Sequence, residues 1–122
     1  MSFDWSHYLI IAEELFREVE NTTYKDANLR CAISRAYYAA FHSAKLKLYE
    51  KWNISVSRDA SAHKEVKECY EQKNMKMIAL NLERMRIDRN KADYYDIVKD
   101  LEAVTKETLK RANKVISALS RL

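Results

Sequence analysis

The sequence predicts an all-α fold: an antiparallel up-and-down helical bundle of four long helices plus one short helix, in a single domain over residues 1–122. Three observations predict it. The chain has neither glycine nor proline, and a β-rich fold of this length relies on both for turns and bulges. A third of its residues are charged, and Ala, Leu, Glu, Lys and Arg are plentiful, which is the composition of helices with solvated outer faces. Apolar residues recur at three- and four-residue spacing through most of the chain. At 122 residues the chain is one domain by size, and no repeat, linker or low-complexity segment divides it.

The first helix is expected over residues 4–20, with Trp5, Tyr8, Leu9, Ala12, Leu15, Phe16 and Val19 on one side and Glu13, Glu14, Arg17 and Glu18 on the other. Asn21-Thr22-Thr23 breaks the pattern, and Thr23 with Asp26 has the spacing of a capping box. The second helix runs from about Tyr24 to Trp52 and contains SRAYYAAFHSAK, Ser34 to Lys45. This stretch is too apolar for a solvated face. Alanines 32, 36, 39, 40 and 44 let neighbouring helices come close, and the rings of Tyr37, Tyr38 and Phe41 fill what the alanines leave open. One stripe carries Leu29, Ile33, Tyr37, Ala40, Ala44 and Leu48. A second carries Cys31, Arg35, Tyr38, His42, Lys45 and Tyr49. A helix apolar over most of its girth is central to its bundle.

Residues 53–60 have no helical period and read as a loop with Ile54 and Val56 tucked inward. A short third helix follows over about 60–72, with Ala62, Val66, Cys69 and Tyr70 inward. The fourth, about 75–93, carries the stripe Ile78, Leu82, Met85, Arg89 and Ala92. Residues 94–99 fit either a turn or a continuation. The last helix, about 100–121, starts at Asp100 as N-cap and has the seam Leu101, Val104, Thr108, Ala112, Val115, Leu119 and Leu122.

The net charge of +4 is spread along the chain, so it permits contact with nucleic acid without arguing for it. Cys31 and Cys69 sit among apolar neighbours and are expected as buried free thiols, with no metal-ligand spacing to another Cys or His. No apolar run is long enough to cross a bilayer, and the N-terminus lacks the pattern of a signal peptide, so a cytoplasmic location is expected.

Arg89 is the position where chemistry is most evident, because its stripe is otherwise apolar. A buried unpaired guanidinium is very costly, so Arg89 must meet a carboxylate, line a polar cleft or sit at an interface. Asp93, one turn later, is within reach of an intrahelical ion pair. A structural Arg89–Asp93 staple and a functional role for Arg89 both fit. Around it, Arg84, Arg86, Arg89 and Lys91 fall within eight residues and Tyr94 and Tyr95 follow. Cations beside aromatic rings suit RNA, whose phosphates pair with Arg and whose bases stack, although any basic helix end near its C-terminal dipole looks the same. Arg35 and His42, seven residues apart, share a helix face. Such a pair could serve metal-free RNA cleavage or be two core polar groups bonded to neighbouring helices. His63 reads as structural or exposed. Without glycine there is no phosphate-cradling loop. The sequence holds no metal site and no Ser or Cys nucleophile motif, and no cofactor is expected.

SRAYYAAFHSAK at 34–45, followed some forty-five residues later by RNKADY at 89–94, resembles the HEPN domain superfamily, in particular the small stand-alone prokaryotic HEPN proteins. The resemblance covers essentially the whole chain. It implies an antiparallel helical bundle, a homodimer, and a cleft at or near the dimer interface. Many HEPN proteins are metal-independent ribonucleases that use an Arg, four to six residues, then a His. Small ones are often toxins paired with a minimal nucleotidyltransferase antitoxin, which in some pairs attaches AMP to a tyrosine. Arg89 and Asn90 match the start of the ribonuclease motif, but Tyr94 stands where the His should follow. A phenol with a solution pKa of about 10 is a poor general acid or base at neutral pH. The resemblance therefore implies a component of a toxin–antitoxin-like system that binds RNA or nucleotide, with ribonuclease activity left open. The alternative is a non-catalytic interaction module or a nucleotide-binding helper for the nucleotidyltransferase. Arg89, Asn90, Asp93 and Tyr94 are the candidate catalytic residues, and Arg35, Tyr38, His42, Arg86 and Tyr95 the candidate binding residues.

Overall fold

The computed structural model describes residues 3–122, and every regular element among them is helical. The order is α1 (His7–Arg17), a 3-10 turn (Val19–Asn21), α2 (Lys25–Trp52), α3 (Ala62–Gln72), α4 (Lys76–Tyr94) and α5 (Leu101–Ser120). The first helix closes at Arg17, earlier than its apolar pattern suggests, and the 3-10 turn carries Val19 into the core. No helix among the described residues is long and apolar enough to cross a membrane.

Helix α2 is the centre of the bundle and packs against the other four helices. Its predicted stripe, Leu29, Ile33, Tyr37, Ala40, Ala44 and Leu48, is wholly buried, and alanines 32, 36, 39, 40 and 44 have no exposed surface. Small side chains at these points bring backbones together. Tyr37, Tyr70 and Met85 then fill the remaining volume. The hydroxyl of Tyr70 donates to the carbonyl of Ala44 at 2.7 Å, which fixes α3 against α2 and leaves no buried phenol unpaired. Thr105 and Thr108 lie buried on α5 and donate to the carbonyls of Leu101 and Val104, each at 2.8 Å.

The absence of glycine shows at three helix ends. Asn53, Asn74 and Asp100 occupy the left-handed region that glycine usually takes, with φ of 55°, 64° and 53°. At Asn74 the chain closes α3 with a Schellman pair: Met75 N–H donates to the Tyr70 carbonyl at 2.9 Å and Asn74 N–H to the Glu71 carbonyl at 3.1 Å.

Three expectations need correcting here. Tyr24 is the N-cap of α2, and no side chain caps that helix, because Asp26 pairs forward with Arg30 (3.5 Å) and does not reach back to Thr23. Asp100 is the N-cap of α5, but its backbone is left-handed and its carboxylate makes no capping bond. Cys31 is exposed, since it lies at the open end of the second stripe of α2. Cys69 is half-buried against the core, and both thiols are free.

Helix α4 ends at Tyr94 without glycine, so its last carbonyls need other donors. Arg30 supplies them. Its Nη1 donates to the Ala92 carbonyl and its Nη2 to the Asp96 carbonyl, both at 2.9 Å. Residues 95–99 are therefore a turn clamped onto α2, and Tyr94 still belongs to α4.

Candidate functional site

The buried stripe of α4 holds Ile78, Leu82, Met85, Arg89 and Ala92, as the periodicity predicts. Arg89 points into the contact with α2. Its guanidinium carbon lies 5.5 Å from the ring centre of Tyr37 and 5.4 Å from that of Tyr38. Both rings present the electron-rich face that a cation prefers. One ion pair reaches it, Nη1 to the Asp93 carboxylate at 3.4 Å, and its buried Nε has no hydrogen-bond partner. A guanidinium has five donors, so most of the capacity of Arg89 is unused.

Tyr37 continues the cluster. Its hydroxyl meets Nδ1 of His63 on α3, and the two rings stack at 5.6 Å. Phe41 packs against the same imidazole at 4.4 Å and stacks on Tyr37 at 5.8 Å. Burial pushes the Tyr37 phenol well above the ordinary tyrosine range despite the nearby Arg89. Burial also holds His63 below the usual histidine range, helped by the positive charges of Arg89 and Arg86. A protonated phenol and a neutral imidazole share one proton in this bond: Tyr37 donates to Nδ1 in one tautomer of the ring and accepts from Nδ1–H in the other. His63 also lines the groove between α3 and α4, together with Arg86.

The other predicted residues divide. Arg35 joins the cluster through Tyr38, with its guanidinium 5.6 Å from that ring and 5.4 Å from Tyr8 on α1. Arg86 is half-buried and paired with Glu83 at 3.1 Å. Asn90 is half-buried on α4. Tyr94 is 75% exposed and Tyr95 56%. Both line a shallow surface pocket with Arg30 and Asp93. His42 turns away toward the start of the chain and stacks on Trp5, ring centres 4.0 Å apart. Of the stripe Arg35–Tyr38–His42, only Tyr38 touches Arg89.

Sequence reasoning missed Tyr37 and His63 as partners and Arg30 as the clamp. A signal existed for His63: it is three and seven residues from Val66 and Tyr70, and so shares their inward face. Nothing local pointed to Arg30, whose acceptors lie more than sixty residues away.

The family model of the HEPN domain matches residues 6–122. The chain belongs to the HEPN domain family. The match spans every helix and includes the Arg89 corner. No curated protein and no solved structure matches the chain. Among the described residues, no group of three or more His, Cys, Asp or Glu could hold a metal ion.

Proposed function

We propose that this HEPN chain is the binding subunit of a prokaryotic two-component, toxin–antitoxin-like system, a homodimer paired with a minimal nucleotidyltransferase. Its Arg89 corner holds an RNA phosphate or a nucleotide. The observation that carries this reading is the under-used guanidinium of Arg89, one 3.4 Å contact among five donors. Its N–H groups are donors, the chemistry that receives phosphate oxygens. Tyr94, Tyr95 and Ile97, exposed at the same end, offer rings and apolar surface for a base or for a second copy of the chain.

A metal-independent ribonuclease is the second reading, favoured by the arrival of His63 next to the arginine that lacks its motif histidine. Burial argues against it, because an imidazole held below its usual pKa is largely uncharged at neutral pH and so a poor general acid. The test compares wild type with Arg89→Ala in cells and with purified protein. Growth and total RNA are scored, and affinity for single-stranded RNA and for nucleotides is read by anisotropy. The binding subunit leaves cellular RNA intact and loses about tenfold or more in affinity on Arg89→Ala. RNA cleavage by wild type alone establishes the ribonuclease. Equal binding, equal growth and intact RNA leave a non-catalytic interaction module. Light scattering of the purified chain tests the homodimer.

A further inference from the structure

Helix α4 has a second face, turned away from the buried stripe that holds Arg89. Met77, Leu80, Arg84, Ile87 and Lys91 recur at alternating spacings of three and four, so they form one row along the outside of the helix over about 21 Å. All five are exposed, Leu80 by 66%. A row of large apolar side chains in solvent marks an interaction surface. Helix α5 provides the contrast. Its exposed positions include Glu102, Lys106, Glu107, Lys110 and Lys114, and neither it nor α3 exposes a large apolar side chain. The cations of the row are also unusual. Arg86 and Arg89 on the same helix are paired with Glu83 and Asp93, at 3.1 and 3.4 Å. Arg84 and Lys91, about 10 Å apart along the row, make no ion pair among the described residues. Half-buried Asp88 lies near both without coming within ion-pair distance of either.

We infer that this row is the docking face for an amphipathic helix of a different protein, one that carries two acidic residues seven positions apart beside its apolar stripe, to meet Arg84 and Lys91. Spacings of three and four are those at which a second helix packs its own side chains along a first. Two cations left unpaired in the row select an acidic partner over a basic one. A second copy of this chain suits the row poorly. Pairing two such rows brings Arg84 and Lys91 of both copies into one seam, and four like charges there oppose association. A flat anionic lipid surface is disfavoured by Glu83 and Asp88, which flank the row on its two sides and would be pressed against it. The row lies on the opposite side of α4 from Arg89, so it stands whether or not the Arg89 corner holds a ligand.

The probe is a pair of synthetic helical peptides, three heptads long, with leucines along one face. One carries two glutamates seven residues apart beside the leucines, and its twin carries lysines there. Each is labelled and titrated with the full chain, with anisotropy as the readout. The acidic peptide should bind saturably and the basic twin about tenfold or more weakly. Leu80→Asp should weaken the acidic peptide about tenfold, and Arg84→Glu combined with Lys91→Glu should reverse the preference between the two peptides. Lys106→Glu combined with Lys110→Glu on α5 makes the same change in net charge and should leave the preference as it is. The inference is overturned if the acidic peptide does not bind, if both peptides bind equally, or if the α5 pair reverses the preference as fully, which would reduce the effect to net charge. It is overturned as well if light scattering shows Leu80→Asp to split a dimer, since a second copy then covers the row. Sedimentation of the wild type, but not of Leu80→Asp, with phosphatidylserine vesicles would assign the row to lipid and overturn it too. Circular dichroism of each variant excludes unfolding as the cause of a loss.

Discussion

The two sides of α2 are built on opposite terms. The closed side is alanine, leucine and isoleucine with no exposed surface, and the polar groups buried with it are satisfied: Thr105 and Thr108 return their hydroxyls to their own helix, and Tyr70 bonds the Ala44 carbonyl. The open side, Arg35, Tyr38, His42 and Lys45, is half-buried throughout. There, guanidinium groups lie over rings, two imidazoles are held neutral, and the Arg89 opposite uses little of its bonding capacity. The closed side holds the buried core. The open side is not optimised for folding, since half-buried rings and under-bonded cations cost desolvation without full return. What it retains are donors and stacking surfaces, which suit something arriving from outside.

The largest expected effect breaks the closed side. Ala40→Leu inserts three carbon atoms where the residue has no exposed surface and the helices meet through small side chains. It should cost about 3 kcal/mol by urea denaturation, from forced rotamers and displaced backbone. A cost below about 1 kcal/mol would mean that α2 and its neighbours separate easily and that the alanines do not set their spacing. An intermediate effect comes from the open side and pH. The folded pKa of His42 is about 4, below the unfolded value of about 6.5, so the folded state binds fewer protons. The contribution of His42 is therefore fully present above pH ~6.5 and is lost as pH falls from there toward 4. His63, also held low, acts in the same direction. The loss from His42 should be about 2 kcal/mol once partial solvation is allowed for. His42→Phe keeps the ring against Trp5 and should flatten that part of the pH profile. An unchanged slope would mean that His42 is more solvated than its stack implies.

Most of the closed side was legible in the sequence and much of the open side was not, for a physical reason. Burial follows helical period, which is local. Leu29, Ile33, Tyr37, Ala40, Ala44 and Leu48, and likewise Ile78, Leu82, Met85, Arg89 and Ala92, could be assigned without knowing any partner. Arg89–Asp93 was equally readable, because both residues sit on one helix face. The bonds Tyr37–His63 and Arg30 to the end of α4 join residues 26 and more than 60 positions apart, and spacing on one helix says nothing of them. The capping box failed for a related reason: Asp26 had two possible partners, and the longer arm of Arg30 took it. Cys31 was misjudged because apolar neighbours in sequence were taken for neighbours in space, while its stripe opens to solvent at that end.

The smallest expected change separates the two meanings of Arg89. Arg89→Met keeps an unbranched side chain of similar reach between Tyr37 and Tyr38 and removes the charge. If the arginine serves the fold as a staple to Asp93, its removal leaves a carboxylate without its partner, and a truly buried one would cost several kcal/mol. Asp93, however, has 29% of its side chain exposed, so water can take over. Arg89 itself is a poorly satisfied guanidinium, whose replacement by an apolar group of similar volume is often neutral. The expected shift is therefore within about 1 kcal/mol by urea denaturation, with affinity for RNA or nucleotide at this corner lost in the same protein. A loss near 3 kcal/mol would make Arg89 part of the closed, folding side after all. It would remove the main reason for reading the open side of α2 as a binding surface.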